Sequence, residues 1–535
     1  MRSIIPKPLC EEFKKGQFVF DATTAIDGDF EKSQAKLVSL LAKCNVQIKT
    51  KKGGNIVFQN DPSLAVEEYF LDVEEGKIII TASAEAGAFY AVQSLRQLAE
   101  MDIADGGDKI ACPCCIIKDK PRFKHRAFML DVCRHFFDKD TVKEFLEMMA
   151  LLKMNVFHWH LSEDQGWRIE IKKYPLLTTK GTIRKSTSTN VLNYASNGEA
   201  RTNQPYGEGK FFTQDDIKEI VAYAQELHID IIPEIDMPGH MMAAIACYPE
   251  LSCEGKDVDV SARWGVMDTI GCVGGDKFLP FVKDVIDEVC QLFPYEYFHL
   301  GGDEVPKSKW KACPKCQAKI KELGLKNENE LQGWFNNQIL EYLKTKNKKV
   351  IGWNEILDAS ELSSETVVQW WTKGVAASGV GKWLEKGNKV VISPCPYVYF
   401  DHFYSMKDLK KTYSLDLDTV GLSQKFESQT LGFEAPQWTE FVRDIGKLHF
   451  NTYPRLQAIA EIGWTAKQNK NFADFECRLK DFSKILDKKN IGYAPRKFYL
   501  CRGISNWGRF INAPMNWVRN PNSEYERWLA EKSKK

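Results

Sequence analysis

No stretch of this 535-residue chain approaches 18 uninterrupted apolar residues, and positions 1–16 carry prolines and charges where a secretory leader has an apolar run. A membrane span is therefore not expected, and the chain as given is expected to be soluble. Neither sign of charge is in surplus. With 73 Lys+Arg against 72 Asp+Glu the net charge is +1, too little to draw the chain to nucleic acid or an anionic membrane over distance. Internal repeats and low-complexity segments are also lacking, which excludes solenoids and linker-like chains. Cysteine is neither scarce nor dense. Fifteen residues form an odd set, too sparse for a disulfide scaffold and more than an ordinary intracellular enzyme requires. Cys313-Pro-Lys-Cys316 could supply half of a zinc site, but no second CxxC and no suitably spaced His pair follows it, so a plain thiol pair or a local disulfide is the expectation.

What is present is length and periodicity. The chain exceeds the ceiling for one hydrophobic core, so at least two domains are expected. Residues 1–120 read as a small α+β domain, with strand-like Lys77–Thr81 and a helix over 84–100 whose Phe89, Val92, Leu95 and Leu98 recur at helical spacing. The stretch 105–108 and residues 112–121 punctuate the chain. From 121 to 495 apolar runs alternate with amphipathic helices. Eight runs qualify as strands: 123–130, 155–161, 229–235, 295–300, 350–353, 367–370, 389–393 and 430–438. Between them, 140–154 places Val142, Phe145, Leu146, Met149 and Leu152 on one helix face, and Thr213 with Asp216 predicts a capping box. Eight such units predict an α/β fold, a (β/α)8 TIM barrel preceded by the small α+β domain. The short gap 357–365 and the Ser/Thr/Asn/Gly-rich excursion 178–212 are irregularities, the latter a candidate wall of the cleft. Residues 496–535 read as a helical extension.

In a barrel the carboxyl ends of the strands converge on one pocket. Those ends carry Arg134, Glu163 with Asp164, Asp236 with His240, Asp303 with Glu304, Trp353, Trp370, Tyr399 with Asp401, and Trp438 with Glu440. Carboxylates and an arginine interleaved with aromatic rings suit a sugar, whose hydroxyls seek charged partners and whose C–H faces lie on rings. The adjacent pair Asp303 and Glu304 predicts that one carboxyl of the two keeps its proton to higher pH. His299 reads as a satisfied core histidine. A rival reading rests on His158-Trp-His160, since two histidines on one side of a barrel strand can ligate a hydrolytic metal.

Several long phrases bear a family resemblance. They are the runs 128–135 around Arg134, 155–161, Asp164-Gln-Gly-Trp-Arg168, Pro233-Glu-Ile-Asp-Met-Pro-Gly-His240, His299-Leu-Gly-Gly-Asp-Glu-Val305, Ile351-Gly-Trp-Asn-Glu355 and Gln437-Trp-Thr-Glu440. Together they resemble the family 20 glycoside hydrolases, the β-N-acetylhexosaminidases, and 87–96 resembles the small domain that precedes that barrel. The resemblance implies a retaining exo-hydrolase of terminal β-linked GlcNAc or GalNAc, working through the substrate's own acetamide without metal or organic cofactor. It implies Glu304 as proton donor and Asp303 as the group that orients the acetamide, with the Asp303 anion expected to raise the Glu304 pKa and keep it an acid near neutrality. Tyr399 would donate to the acetamide oxygen, and Trp353, Trp370 and Trp438 would wall the ring. Arg134, Glu440 and Asp401 would meet hydroxyls, and Asp236 with His240 would support Glu304. Glu163 departs from the usual Asp, which leaves its reach open. Cys253 and Cys272 resemble a disulfide pair of the family, with two free thiols as the alternative. A family member acting on a disaccharide unit, such as a lacto-N-biosidase, or a non-catalytic glycan-binding barrel are the other readings. The expected partners are β-N-acetylhexosaminide glycans, with self-association as a homodimer left open. By resemblance a periplasmic, extracellular or lysosome-like location is expected, with any leader absent from the sequence given.

Overall fold

The computed structural model describes residues 3–104, 109–189, 202, 204–359, 362–500 and 507–533. The punctuation at 105–108 and most of the central part of the 178–212 excursion lie outside these. The amino-terminal unit is a seven-stranded mixed sheet in the order Cys10–Val19, Ala111–Asp119, Tyr69–Glu74, Lys77–Ala82, Ile56–Asn60, Ala25–Gly28, Lys49–Thr50. Its strands alternate buried and half-exposed positions, as in Lys77–Ala82, where Ile78, Ile80 and Ala82 turn inward beneath the helix Glu85–Ala104. That is the pattern of a sheet covered on one face.

Eight parallel strands close the barrel: His125–Asp131, Val156–His160, Asp230–Glu234, Tyr297–His299, Lys349–Trp353, Val367–Trp370, Lys389–Ile392 and Thr430–Gln437. Each falls within or beside a run the sequence marks. Asp138 caps the helix Lys139–Leu151 by accepting from the Thr141 backbone N–H, and Thr213 with Asp216 forms the expected capping box on Gln214–Glu226. The short gap between the fifth and sixth strands holds, among its described residues, a 3-10 turn at Asn354–Asp358 instead of a crossover helix. The carboxyl-terminal segment holds, among its described residues, the short helix Arg496–Tyr499 and the longer helices Trp507–Arg519 and Ser523–Lys532. It docks on the barrel: Glu524 accepts from the backbone N–H groups of Tyr404 and Ser405. No helix among the described residues is long and apolar enough to cross a membrane.

The barrel interior is layered. At its base Ala127, Val156, Ile232, Tyr297, Ile351, Val367 and Val391, with Leu431, give one apolar side chain from each strand. Two residues further along four of these strands the inward row becomes polar, at His158, Glu234, His299 and Gln369, and Glu434, three residues past Leu431, joins them. His158 Nδ1 lies 2.7 Å from Glu434 Oε1, and its Nε2 pairs with Glu234 Oε2 at 3.1 Å, off the hydrogen-bond axis. His160 pairs with Glu234 through Nδ1 and with Glu163 through Nε2. Burial opposes charge on these imidazoles, yet the flanking carboxylates hold His158 at about 9 and His160 at about 10. Both rings of the HxH motif are thus engaged with carboxylates inside the barrel, contrary to an open hydrolytic metal site. His299 is buried in the core as expected, with Nδ1 3.0 Å from Glu234 Oε1, but its Nε2 has no hydrogen-bond partner within the protein, so it is not the fully satisfied histidine expected.

Four cysteines resolve the alternatives left open by the sequence in favour of free thiols. Cys253 and Cys272 are both free, not joined in a disulfide, and Cys313 and Cys316 are free as well. All four sulfurs lie within 4.8 Å of one another.

Candidate active site

At the carboxyl end of the barrel a cavity of about 460 Å³ is lined by Arg134, Glu163, Asp236, His240, Asp303, Glu304, Tyr399, Asp401, Trp438 and Glu440, together with Trp371, Phe441 and Trp517 among others. Ten of the twelve expected site residues therefore meet in one place.

The turn after the fourth strand sets the geometry. Gly301 and Gly302 adopt φ of 68° and 90°, and Glu304 itself sits at 47°. A Cβ on Gly301 would stand 1.8 Å from Asp236 Oδ1, and Gly302 donates its N–H to that oxygen at 2.9 Å. Only glycine permits this wrap around a carboxylate. The left-handed Glu304 costs on the order of 1 kcal/mol, a strain that the turn imposes at the residue projecting furthest into the cleft.

The two carboxylates it presents differ. Asp303 is 8% exposed and its Oδ1 has no hydrogen-bond partner within the protein, whereas Glu304 is 36% exposed at its side chain. Burial, reinforced by the neighbouring Asp236 carboxylate, pushes Asp303 well above the usual carboxyl range. The upward shift thus falls on Asp303, whereas the expectation is that an Asp303 anion raises Glu304. Asp236 is pushed the same way, by burial first and then by Glu234 and Glu163 against the pull of His240.

His240 joins the layers. Its Nδ1 is 2.7 Å from Glu163 Oε1 and its Nε2 is 3.6 Å from Glu304 Oε2. Burial works against its proton, but Glu163, Asp164 and Glu304 hold the imidazolium well above the ordinary histidine range. Arg134 anchors Glu163 at 2.8 Å, donates through Nε to Gln165 Oε1 at 3.0 Å, and lays its guanidinium 4.9 Å from the Trp438 ring. Despite its burial, Glu163 stays ionised, held down by Arg134 and His240. The added methylene relative to Asp is thereby absorbed in reaching three cations at once. Half-buried Glu440 rises to about 7, because burial outweighs the pull of Arg134.

Aromatic rings close the sides. Tyr399 is buried, stacks on Trp371 at 5.8 Å and 21°, and lies 6.3 Å from the Trp438 ring. Burial pushes its phenol far upward, so its hydroxyl stays protonated. The expected Trp370 does not reach the cavity. Along Val367–Trp370 the inward side chains are Val367 and Gln369, so the next in phase is Trp371. Trp370 points outward and donates its indole N–H to the carbonyls of Thr372 and Lys373, while Trp371 donates to Glu355. Trp353 is 1% exposed and lies beneath the wall, 5.9 Å from Trp438, donating to Glu234 Oε1 at 2.8 Å. Sequence reasoning also missed Trp517, on the carboxyl-terminal helix, which stacks on His402 at 5.0 Å at the rim. No spacing rule links a helix so far along the chain to a strand-end pocket. On the excursion, Arg184 donates to the Arg134 carbonyl and Tyr206 accepts the Phe136 N–H through its hydroxyl, so its described ends brace this wall from behind.

This arrangement matches known proteins over nearly the whole chain. Residues 123–467 match the glycosyl hydrolase family 20 catalytic domain, and residues 1–120 match domain 2 of the same family. A beta-hexosaminidase of Porphyromonas gingivalis is 36% identical over 520 residues, covering 92% of this chain and 64% of that protein, so the chain spans just under two thirds of that relative. A beta-hexosaminidase of Vibrio furnissii is 32% identical, covering 87% of this chain and 77% of that one. The crystal structure of a GH20 exo-beta-N-acetylglucosaminidase from Vibrio harveyi, in complex with N-acetylglucosamine, superposes with a TM-score of 0.82 at 30% identity, over 92% of this chain and 79% of that chain. With its closed eight-stranded barrel, its preceding small domain and these matches, the chain belongs to glycosyl hydrolase family 20.

Proposed function

We propose that the protein is a retaining exo-β-N-acetylhexosaminidase that releases terminal β-linked GlcNAc, or GalNAc, by substrate-assisted catalysis. The observation that carries this reading is the pairing of a buried, hydrogen-bond-deficient Asp303 oxygen with a projecting Glu304 on the next residue. Adjacent side chains on one turn cannot flank a glycosidic bond from opposite faces, as a two-carboxylate hydrolase requires. A substrate acetamide removes that requirement.

In the first step Glu304 gives its proton to the glycosidic oxygen as the bond from C1 to that oxygen breaks. The acetamide oxygen attacks C1 from the opposite face and forms a cyclic oxazolinium. Asp303 accepts from the acetamide N–H and, as an anion, offsets the positive charge. Donation of that N–H favours the carboxylate, so binding is accompanied by release of the Asp303 proton to solvent. Tyr399 donates to the acetamide oxygen, and Trp371 and Trp438 confine the group to an attack geometry that a free acetamide seldom adopts. Glu304 then takes a proton from water, which adds to C1 on the face the leaving group vacated as the bond from C1 to the acetamide oxygen breaks, so the acetamide is restored and β configuration is kept. His240, protonated 3.6 Å away, steadies Glu304 while it is anionic. The Arg134, Glu163 and Glu440 wall closes one end of the cavity and supports exo action on a terminal sugar.

Matched nitrophenyl glycosides test the proposal. The N-acetyl-β-glucosaminide should be cleaved orders of magnitude faster than the β-glucoside, which lacks the nucleophile; comparable rates would sink the mechanism. If no glycoside is cleaved, a glycan array showing binding would favour the non-catalytic barrel.

A further inference from the structure

We propose that Cys253, Cys272, Cys313 and Cys316 form a structural zinc site that ties the loop carrying Asp236 and His240 to the loop carrying Asp303 and Glu304. Three observations carry it. First, the spacing fits a tetrahedron. The sulfurs of Cys253 and Cys316, of Cys272 and Cys313, and of Cys272 and Cys316 are each separated by 3.8 Å. Four thiolates at about 2.3 Å from one zinc ion stand about 3.8 Å apart along the tetrahedral edge. A disulfide would instead bring two sulfurs to about 2 Å and leave the other pair behind.

Second, the backbone is shaped around the sulfurs. Cys313 is the N-cap of the helix Pro314–Glu322 and Cys316 lies in its first turn, so both thiols face the positive end of the helix dipole. A Cβ on Gly274 would stand 2.4 Å from Cys316 Cα, and one on Gly275 would stand 3.2 Å from Cys272 Sγ. At Gly274 the two strips of chain approach more closely than a side chain would permit, and at Gly275 a side chain would crowd the Cys272 sulfur. Three of the four cysteines are buried and Cys253 is half-buried, which leaves one sulfur near the surface for entry of the ion. An all-thiolate donor set with no fifth ligand group suits zinc held for structure, since a catalytic zinc keeps a position open. Each thiol releases its proton as the ion binds.

Third, the placement gives the ion something to do. Cys272 is held against Leu251 by a backbone bond, and between Cys253 and Cys272 the chain carries Gly265 and Val266 into the cavity lining. Cys313 follows Glu304 by nine residues, across the short helix Ser308–Ala312. One ion would thus add a clip between two loops already in contact through the Trp310 indole, which donates to the Gly271 carbonyl at 2.9 Å, and through Lys309, which pairs with Glu254 and Asp268. The site lies away from the reacting carboxylates, so this metal takes no part in the hydrolysis, and the expectation of a metal-free chain is revised only for structure.

Metal analysis of tag-free protein, purified without chelator from zinc-supplemented medium, tests the inference. About one zinc per chain is expected, released stoichiometrically by an organomercurial, and Cys316→Ser should lose it. Cobalt exchanged into the site should give the thiolate charge-transfer and d–d bands of tetrahedral coordination, a readout independent of glycoside cleavage. Hydrogen exchange after zinc removal should rise across 253–277 and 303–320 and stay unchanged in the barrel strands. Zinc-free protein whose thiols in denaturant fall short by a disulfide pair would overturn the site, as would zinc-free protein with every thiol reactive. One iron per chain in place of zinc would overturn the choice of metal. Because the wild-type stoichiometry decides the matter, a Cys316→Ser chain that fails to fold leaves the test intact.

Discussion

Asp303→Asn separates the charge of this residue from its shape. Asparagine keeps the size and can still turn a carbonyl oxygen toward the acetamide N–H, so what the substitution removes is the anion. In the buried setting of Asp303, an anion about 4 Å from the developing oxazolinium charge contributes about 4 kcal/mol at an effective dielectric near 20. That corresponds to a loss of about a thousandfold in kcat, with a much smaller change in KM because the neutral ground state gains little from the charge. Steady-state kinetics on a nitrophenyl N-acetyl-β-glucosaminide reads it directly. The same substitution should raise thermal stability at neutral pH. A carboxyl whose folded pKa lies above its unfolded value favours folding only when protonated, so its contribution is complete below the unfolded pKa and is lost as pH rises through the folded one. Asparagine removes that penalty, and the gain in melting temperature at pH 7 should vanish below about pH 4. A loss of kcat under tenfold, or a variant less stable than wild type at pH 7, would refute the reasoning.

Other perturbations follow from the same geometry. Trp371→Ala should cost about 10- to 100-fold in kcat/KM by opening the wall beside Tyr399, whereas Trp370→Phe should leave kinetics near wild type and lower only the melting temperature; the reverse pattern would return Trp370 to the pocket. Arg134→Met should destabilise the fold by about 3–5 kcal/mol in urea titrations, because Glu163 is left buried and ionised, and adding Glu163→Gln should restore part of that loss. Glu304→Gln should cost far more with a poor leaving group than with an activated aryl one, and an equal loss on both would count against proton donation. Trp517→Ala should raise KM for a disaccharide more than for a nitrophenyl monosaccharide, since its ring stands at the rim and not beside the acetamide; equal shifts would remove it from leaving-group binding.

How far the sequence discloses this site depends on which rule each residue obeys. Local rules give the barrel: strand runs, the Thr213 cap and the strand-end carboxylates are set by neighbours within a few positions, so their pattern is visible in one dimension. Trp371 obeys a local rule too, since Val367, Gln369 and Trp371 share one phase of a two-residue repeat. Choosing the last residue of the apolar run gave Trp370, whereas counting phase from Gln369 selects its neighbour. Trp353 shows the opposite case, correct in phase yet one layer too deep, because the polar row at Glu234 draws its indole N–H downward. Trp517 and the four cysteines obey no local rule. Cys253 and Cys272 are 19 positions apart and belong to the loop after the third strand, while Cys313 and Cys316 begin a helix after the fourth. Parallel strands place consecutive loops side by side at one end of a barrel, so residues far apart in the chain become neighbours there. The missing second half of the Cys313-Pro-Lys-Cys316 motif was therefore never absent from the sequence. It lay on the preceding loop in a spacing that resembles a disulfide pair, and only barrel closure brings the two halves together around one point.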